Sequence, residues 1–153
     1  MGALDSRARL AALERSGIRL IGVQEALQEA CQAAAGLLRG DAAQVNVVTR
    51  YEQEFLAEWP RPRRWRKPVP LSNSGCREVV IAEHTLVIDD THEHPVVCVM
   101  PWVQDWRGYI GAPIAYDTQV IGSLCVLTKE PRDWTDGDVA ALEVLADKVS
   151  ASL

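Results

Sequence analysis

The chain has no long apolar run, no disulfide-type cysteine pattern and no excess of positive charge. No stretch approaches the roughly 18 apolar residues that a bilayer span requires, so no membrane association is expected. The opening MGALDSRARL carries no apolar core of a secretory signal, and a cytoplasmic location is the expectation. Cys31, Cys76, Cys98 and Cys125 include no C-x-x-C pair, and 153 residues can build a core without crosslinks, so reduced thiols are expected. Lys plus Arg number 16 against 21 Asp plus Glu, a net charge of −5. That balance argues against a general nucleic-acid binder, which needs cations to displace counterions from phosphate. What is present, 48% hydrophobic and 24% charged residues, describes one ordinary folded domain over residues 1–153.

The ends of the chain read as helix. Asp5 or Ser6 can cap a short helix to about Arg15, broken by Ser16-Gly17. Leu20, Val23, Leu27, Ala30, Ala34 and Leu37 recur at spacings of three and four and predict a second helix, stopped by Gly40 as a left-handed cap. Near the C-terminus Thr135, with Asp138 three positions on, predicts a capped helix with a stripe of Val139, Leu142, Leu145, Ala146 and Val149. The middle reads as strand. Alternation from Gln44 to Arg50, a turn at Tyr51-Glu52-Gln53 and a partner at Glu54 to Trp59 make one pair. Arg107 to Tyr116 and Val120 to Thr128 make a hairpin across Asp117-Thr118-Gln119. Between the pairs lie a proline-rich loop at residues 60–70, a short helix from Gly75 to Glu83 and a short strand from Thr85 to Ile88.

Strands grouped in the middle with helices at the ends predict an α+β fold. The sheet is antiparallel, with N- and C-terminal helices (residues 1–40 and 135–153) on one face and loops over residues 44–128 on the other. A sheet covered by loops leaves concave space for a small ligand.

Several segments in order resemble the GAF domain family. They are Leu71-Ser72-Asn73-Ser74-Gly75-Cys76 with Val79-Val80, Leu86-Val87-Ile88-Asp89-Asp90 with Pro95, Tyr109-Ile110-Gly111-Ala112-Pro113-Ile114, and Ile121-Gly122-Ser123-Leu124-Cys125-Val126-Leu127. Pro131-Arg132-Asp133-Trp134-Thr135 and the closing Leu142-x-x-Leu145-Ala146 complete the set, which covers about residue 20 to the C-terminus. Thr128 stands where family members commonly carry Asp, and Trp102 and Trp106 lie in a compact stretch not typical of the family. The resemblance implies a five- to six-stranded antiparallel sheet with a ligand pocket on one face and dimerising helices on the other. It also implies a sensory or signalling role, with a homodimer or a signalling protein as partner. With no output segment recognised, the chain reads as a stand-alone module.

The residues on which ligand binding is placed are Cys76, Asp90, His94, Trp102, Trp106, Tyr109 and Cys125. Trp102, Trp106 and Tyr109 offer a flat apolar wall with polar handles for a planar ligand, with Asp90 or His94 fixing its orientation; the alternative is that the rings only plug the loop side. Gly111 and Gly122, on neighbouring strands, mark either a strand bend or a close approach by another group. His92-Glu93-His94 with Cys98 has metal-ligand residue types, but three ligands in an irregular loop before Pro95 are a weak set, and no metal is assigned. His84 as an axial ligand is set aside for a solvent-facing position. No cofactor is assigned.

Cys76 at the start of a short helix raises a redox alternative, since the helix dipole favours a thiolate. A family branch reduces free methionine sulfoxide with cysteines in its pocket, and Cys98 falls near such a thiol, but buried inert cysteines are the commoner case. A ligand-free adaptor that uses the terminal helices and basic loop for protein contacts is the second reading, and the redox alternative the third. Cyclic-nucleotide recognition is disfavoured because the family signature cannot be assembled with Phe55 as the sole Phe. Bilin attachment is disfavoured because no Cys-His dipeptide exists. Arg61, Arg63, Arg64, Arg66 and Lys67 surround Trp65; a solvated loop or a docking patch is favoured over base stacking. Nothing supports a Ser-His-Asp triad, a phosphate loop or paired acid-base carboxylates, so no catalytic residue is named and no enzyme is expected.

Overall fold

The computed structural model describes residues 3–61 and 66–153. Trp65, Arg63 and Arg64 of the basic run lie outside the described residues. Helix α1 (Arg7–Ser16) starts where the Ser6 side chain accepts from the Arg9 amide and ends at Gly17, whose φ is 69°. Helix α2 (Ile21–Leu38) follows, then strands β1 (Ala42–Val48), β2 (Glu52–Trp59) and β3 (Val69–Pro70). Helix α3 (Gly75–Ala82), strand β4 (Leu86–Ile88), the hairpin β5 (Gly108–Tyr116) and β6 (Gln119–Thr128), and helix α4 (Asp136–Ala151) complete the chain. The strands form one sheet in the order β3-β2-β1-β6-β5-β4, and every neighbouring pair is antiparallel. The α+β class, the antiparallel sheet and the helical ends are as the sequence predicts.

The period-2 alternation of the strands sorts their residues between two cores. Ala43, Val45 and Val47 of β1, Ile110, Ala112 and Ile114 of β5, and Leu124 and Val126 of β6 pack with Leu27, Ala34 and Leu38 of α2 and with Leu142, Ala146 and Val149 of α4. On the opposite face Tyr109, Cys125 and Leu127 pack with Val79 of α3 and with Val97, Met100 and Val103 from the loop after β4. That loop runs as three short 3-10 turns, Thr91–Glu93, Val97–Val99 and Pro101–Gln104. With both faces covered, polar residues pointing away from the helices are enclosed rather than solvated.

Four local expectations are corrected. The first hairpin turns at Thr49 to Tyr51, not at Tyr51-Glu52-Gln53, because the Thr49 hydroxyl accepts from the Tyr51 and Glu52 amides while the Thr49 amide bonds the Glu52 carbonyl. The left-handed residue that ends α2 is Arg39, with φ 55°, and not Gly40. Gly40 is instead a close approach, since a Cβ there would lie 2.2 Å from the Val126 side chain. The α2 stripe is also rotated from its predicted ends: Leu20 and Leu37 are exposed, and Cys31, Ala35 and Leu38 are buried. Finally, residues 60–70 include β3, which pairs Val69 with Gln53 and Pro70 with Glu52 at the sheet edge.

The last helix carries the predicted capping box, with the Asp138 amide donating to Thr135 Oγ1 at 3.1 Å and the Thr135 amide to Asp138 Oδ2 at 3.0 Å. Before it, Arg132 donates to the Leu38 and Arg39 carbonyls at the end of α2, a cation where the helix dipole is negative. Thr128, the departure from the family pattern, holds its turn by donating to the Glu130 carbonyl at 2.7 Å.

Candidate functional site

The loop-covered face of the sheet holds a cavity of about 60 Å³. Gln44 and Asn46 of β1, Gln53 and Phe55 of β2, Tyr109 of β5 and Leu127 of β6 form its floor. Gly75 and Cys76 at the start of α3, Trp102, Trp106, Val69 and Arg66 close it. The space takes a few water-sized groups and is well under the roughly 300 Å³ of a drug-sized ligand site.

Glycine sets how tightly the walls fit. The Tyr109 ring lies back over Gly111, where a Cβ would stand 2.7 Å from its hydroxyl and 3.0 Å from Val79. Tyr109 is thereby held between the sheet and α3, and Trp102 packs on it at 5.4 Å between ring centroids with planes at 51°, an aromatic pairing of favourable geometry. A Cβ on Gly122 would lie 2.0 Å from the Asn46 carbonyl oxygen. Close approach is therefore the reason for both glycines.

A chain of hydrogen bonds runs across the floor. Gln44 Nε2 donates to Glu58 Oε1 at 3.0 Å, and Asn46 Nδ2 donates to Gln44 Oε1 at 3.0 Å. The Cys125 thiol contacts Gln44 Oε1 at 3.8 Å. The Ser123 hydroxyl donates to Cys76 Sγ at 3.0 Å, and the Cys76 thiol contacts the Asn46 carbonyl at 3.8 Å. Ser74, which caps α3 by accepting from the Arg77 amide, donates to Gln53 Oε1 at 2.6 Å. Two buried atoms in this network stand out among the described residues: Asn46 Oδ1 and Tyr109 Oη have no hydrogen-bond partner. The Tyr109 hydroxyl adjoins Ser123 and Cys125 without a hydrogen bond of good geometry to either.

The electrostatics keep the floor uncharged. Burial pushes the Cys76 thiol up to about 12, against smaller opposing effects of Ser123 and Arg9. Burial likewise raises Cys125 and Tyr109 well above their usual values, with neighbouring Cys76 adding to each. The expectation that a helix start favours a Cys76 thiolate is thus corrected: loss of solvent outweighs the dipole. Burial also raises Glu58, and the Arg66 guanidinium, 2.8 Å from its carboxylate, works against that rise.

Of the residues named from sequence, Cys76, Trp102, Trp106 and Tyr109 line the cavity, and Cys125 sits beneath it beside Gln44 and Asn46. Asp90 and His94 are placed elsewhere. Asp90 pairs through both oxygens with Arg107, at 3.0 and 2.8 Å, and accepts from the His92 amide; the Arg107 hydrogen bonds hold its carboxyl below the usual range. His94 Nδ1 accepts from the Val96 and Val97 amides at 3.1 Å, and His92 Nε2 meets the Val103 carbonyl at 3.0 Å. These side chains shape the loop that roofs the cavity. Among the described residues, no three His, Cys, Asp or Glu side chains converge as a metal site. Sequence reasoning passed over Gln44, Asn46, Gln53, Phe55 and Arg66. The signal for the amides was available, since polar residues on a strand face that loops must cover are enclosed.

Comparison with known proteins bears on the same architecture. A cyclic di-GMP phosphodiesterase from Pseudomonas aeruginosa is 29% identical over 97% of this chain, which spans about a quarter (26%) of that relative's length. The GAF domain of an Acinetobacter phosphoenolpyruvate-protein phosphotransferase superposes with a TM-score of 0.72 at 18% identity, over 95% of this chain and 92% of the other. A free methionine-R-sulfoxide reductase from Neisseria meningitidis, solved with its substrate, superposes with a TM-score of 0.67 at 15% identity, over 99% and 93%. At those identities the two structures establish a shared fold. The family model for the GAF domain matches residues 22–153, from the second helix through both strand pairs to the last helix, and the chain accordingly belongs to the GAF domain family.

Proposed function

We propose that this domain binds a small molecule in the cavity between the β1-β6-β5 floor and the roof of α3 and residues 101–106, and that it works as a sensory module rather than an enzyme. The observation that carries the reading is Asn46 Oδ1, a buried acceptor of a residue lining the cavity that has no hydrogen-bond partner among the described residues. A buried polar atom left unpaired costs about 1–3 kcal/mol, so a site retaining one is suited to an occupant that pairs it. The neutral floor argues against chemistry at Cys76 or Cys125, because a nucleophilic thiol must be a thiolate near neutral pH and burial holds both protonated.

Transmission is assigned to the helical side as a homodimer or a partner contact. Ile21 is 94% exposed and Leu20, Leu37 and Val144 are also solvent-facing. A shallow groove between α2 and α4 is lined by Ala26, Ala30, Ala33, Leu145 and Val149, with Glu29 and Lys148 among its walls. Such a face has the apolar character of an interface. Light scattering at high concentration is expected to show a dimer; a monomer throughout would contradict the homodimer.

The experiment for ligand binding is a thermal-shift screen of a metabolite panel on the wild type and on Asn46→Ala. At least one compound is expected to raise the wild-type midpoint and to act more weakly on the variant. A panel that shifts neither protein would favour the adaptor without a ligand.

A further inference from the structure

We propose that the mouth of the cavity is a site for a small organic cation, a guanidinium or alkylammonium group, and that the Arg66 side chain occupies it as the chain's own substitute for that ligand. The proposal rests on the small-molecule reading above and gives the ligand a chemical class.

The Arg66 guanidinium stands 4.1 Å over the centre of the Phe55 ring and 2.8 Å from Glu58 Oε1. One aromatic face and one carboxylate are the two elements that hold an organic cation. The carboxylate is the fixed half of the pair: its side chain is 9% exposed, that of Arg66 is 44% exposed, and Gln44 Nε2 holds it from the floor. Burial makes the ionised form of Glu58 costly and Arg66 opposes that cost, so the carboxylate favours a cation at this point whichever molecule supplies it.

Arg66 is the movable half. Residues 66–68 belong to no helix or strand, so its withdrawal breaks no sheet hydrogen bond. Among the described lining residues Arg66 is the sole charged one. Its departure would leave a cavity of four aromatic side chains, Phe55, Trp102, Trp106 and Tyr109, with amide and thiol groups between them. Electron-rich faces and the unpaired Asn46 Oδ1 acceptor suit a cation carrying N–H donors. An anionic ligand would instead meet Glu58 beside the guanidinium it needed. The small volume with Arg66 in place, about 60 Å³, fits a site closed by its own side chain. A ligand cation entering here would release the Arg66 side chain from Phe55 and Glu58, two residues of β2.

The test compares N-propylguanidinium with its neutral analogue N-propylurea, by calorimetry and by the indole N–H resonances of Trp102 and Trp106. Three proteins are used: the wild type, Arg66→Ala and Arg66→Ala/Glu58→Gln. A tethered group competes at an effective concentration of about millimolar, so propylguanidinium should bind Arg66→Ala more tightly than the wild type, by about tenfold if its affinity for the vacated site is about 0.1 mM. In Arg66→Ala it should exceed propylurea by about tenfold, and Glu58→Gln should remove that preference. Should Arg66→Ala fail to fold, the wild type carries the test: tens of millimolar propylguanidinium should move the Arg66 side-chain N–H resonance and both indole signals, whereas equal propylurea should not. Equal binding of the two probes at the indoles would leave the ligand cavity standing and overturn the cationic class. Binding of neither, in a protein that responds to another compound of the metabolite panel, would overturn the class as well. Binding of neither with no panel response would overturn both.

Discussion

Alkylation of the native protein is the perturbation that separates a binding module from a cysteine enzyme. Cys98 is exposed, and Cys31, Cys76 and Cys125 are buried. Burial moves Cys76 from its ordinary 9.0 to about 12 and Cys31 equally to about 12. A thiol raised that far holds about a thousandfold less thiolate near pH 8 than an ordinary one, and only the thiolate attacks. Steric exclusion multiplies that factor, since Cys76 is 1% exposed and Cys31 fully buried. Iodoacetamide at pH 8, with tryptic mass spectrometry over time, should therefore modify Cys98 first. Cys31, Cys76 and Cys125 should react only at the rate of global or local opening, and all four should react together in denaturant. Mild peroxide should follow the same order. Modification of native Cys76 or Cys125 at a rate near that of Cys98 would refute the neutral floor and favour the redox alternative.

Other consequences can be measured with single variants. Gly122→Ala forces a Cβ to within 2.0 Å of the Asn46 carbonyl, a backbone atom that cannot rotate away, and should cost about 3 kcal/mol in urea unfolding. Gly36→Ala, in an exposed position of α2 with nothing within 4 Å, should gain about 0.5–1 kcal/mol; equal effects of the two would show that the close approach is not real. Glu58 has a raised folded pKa, so its contribution to stability is full below its unfolded value and is lost as pH rises through the folded value. Glu58→Gln should accordingly gain on the wild type as pH increases above about 4.5 in paired melts, and a gain that grows toward acid would reverse the sign. Tyr109→Phe loses only weak contacts of the hydroxyl with Ser123 and Cys125, so its unliganded stability should stay within about 1 kcal/mol of the wild type, while the midpoint shift from any cavity ligand should shrink. A large loss without ligand would show that the hydroxyl is already paired.

Much of the fold was legible because its signals are local. The Thr135–Asp138 capping box and the hairpin turn at Asp117 and Thr118, with φ of 52° and 63°, each rest on a few neighbouring residues. The family segments placed Cys76, Tyr109 and Cys125 at the site. What failed was rotational or long-range. The α2 stripe could be drawn through Leu37 or Leu38, and only the packed sheet decides that Leu38 is buried. Gly40 looked like a cap because glycine commonly is one, yet its constraint comes from Val126 on a distant strand. Asp90 and His94 were placed in the cavity by their chemistry, but each finds partners in its own loop or in Arg107. The pairing of Arg66 with Phe55 and Glu58 joins a loop to the middle and the end of β2, and no spacing rule anticipates it.

The most direct test of ligand binding in the cavity is an aromatic and indole NMR titration of the wild type with whatever compound the thermal screen returns. The resonances of Tyr109, Trp102 and Trp106 should shift together and saturate, while Trp134 on the helix-side core stays in place. Shifts confined to Trp134 and the residues of α2 and α4 would contradict a ligand on the loop-covered face.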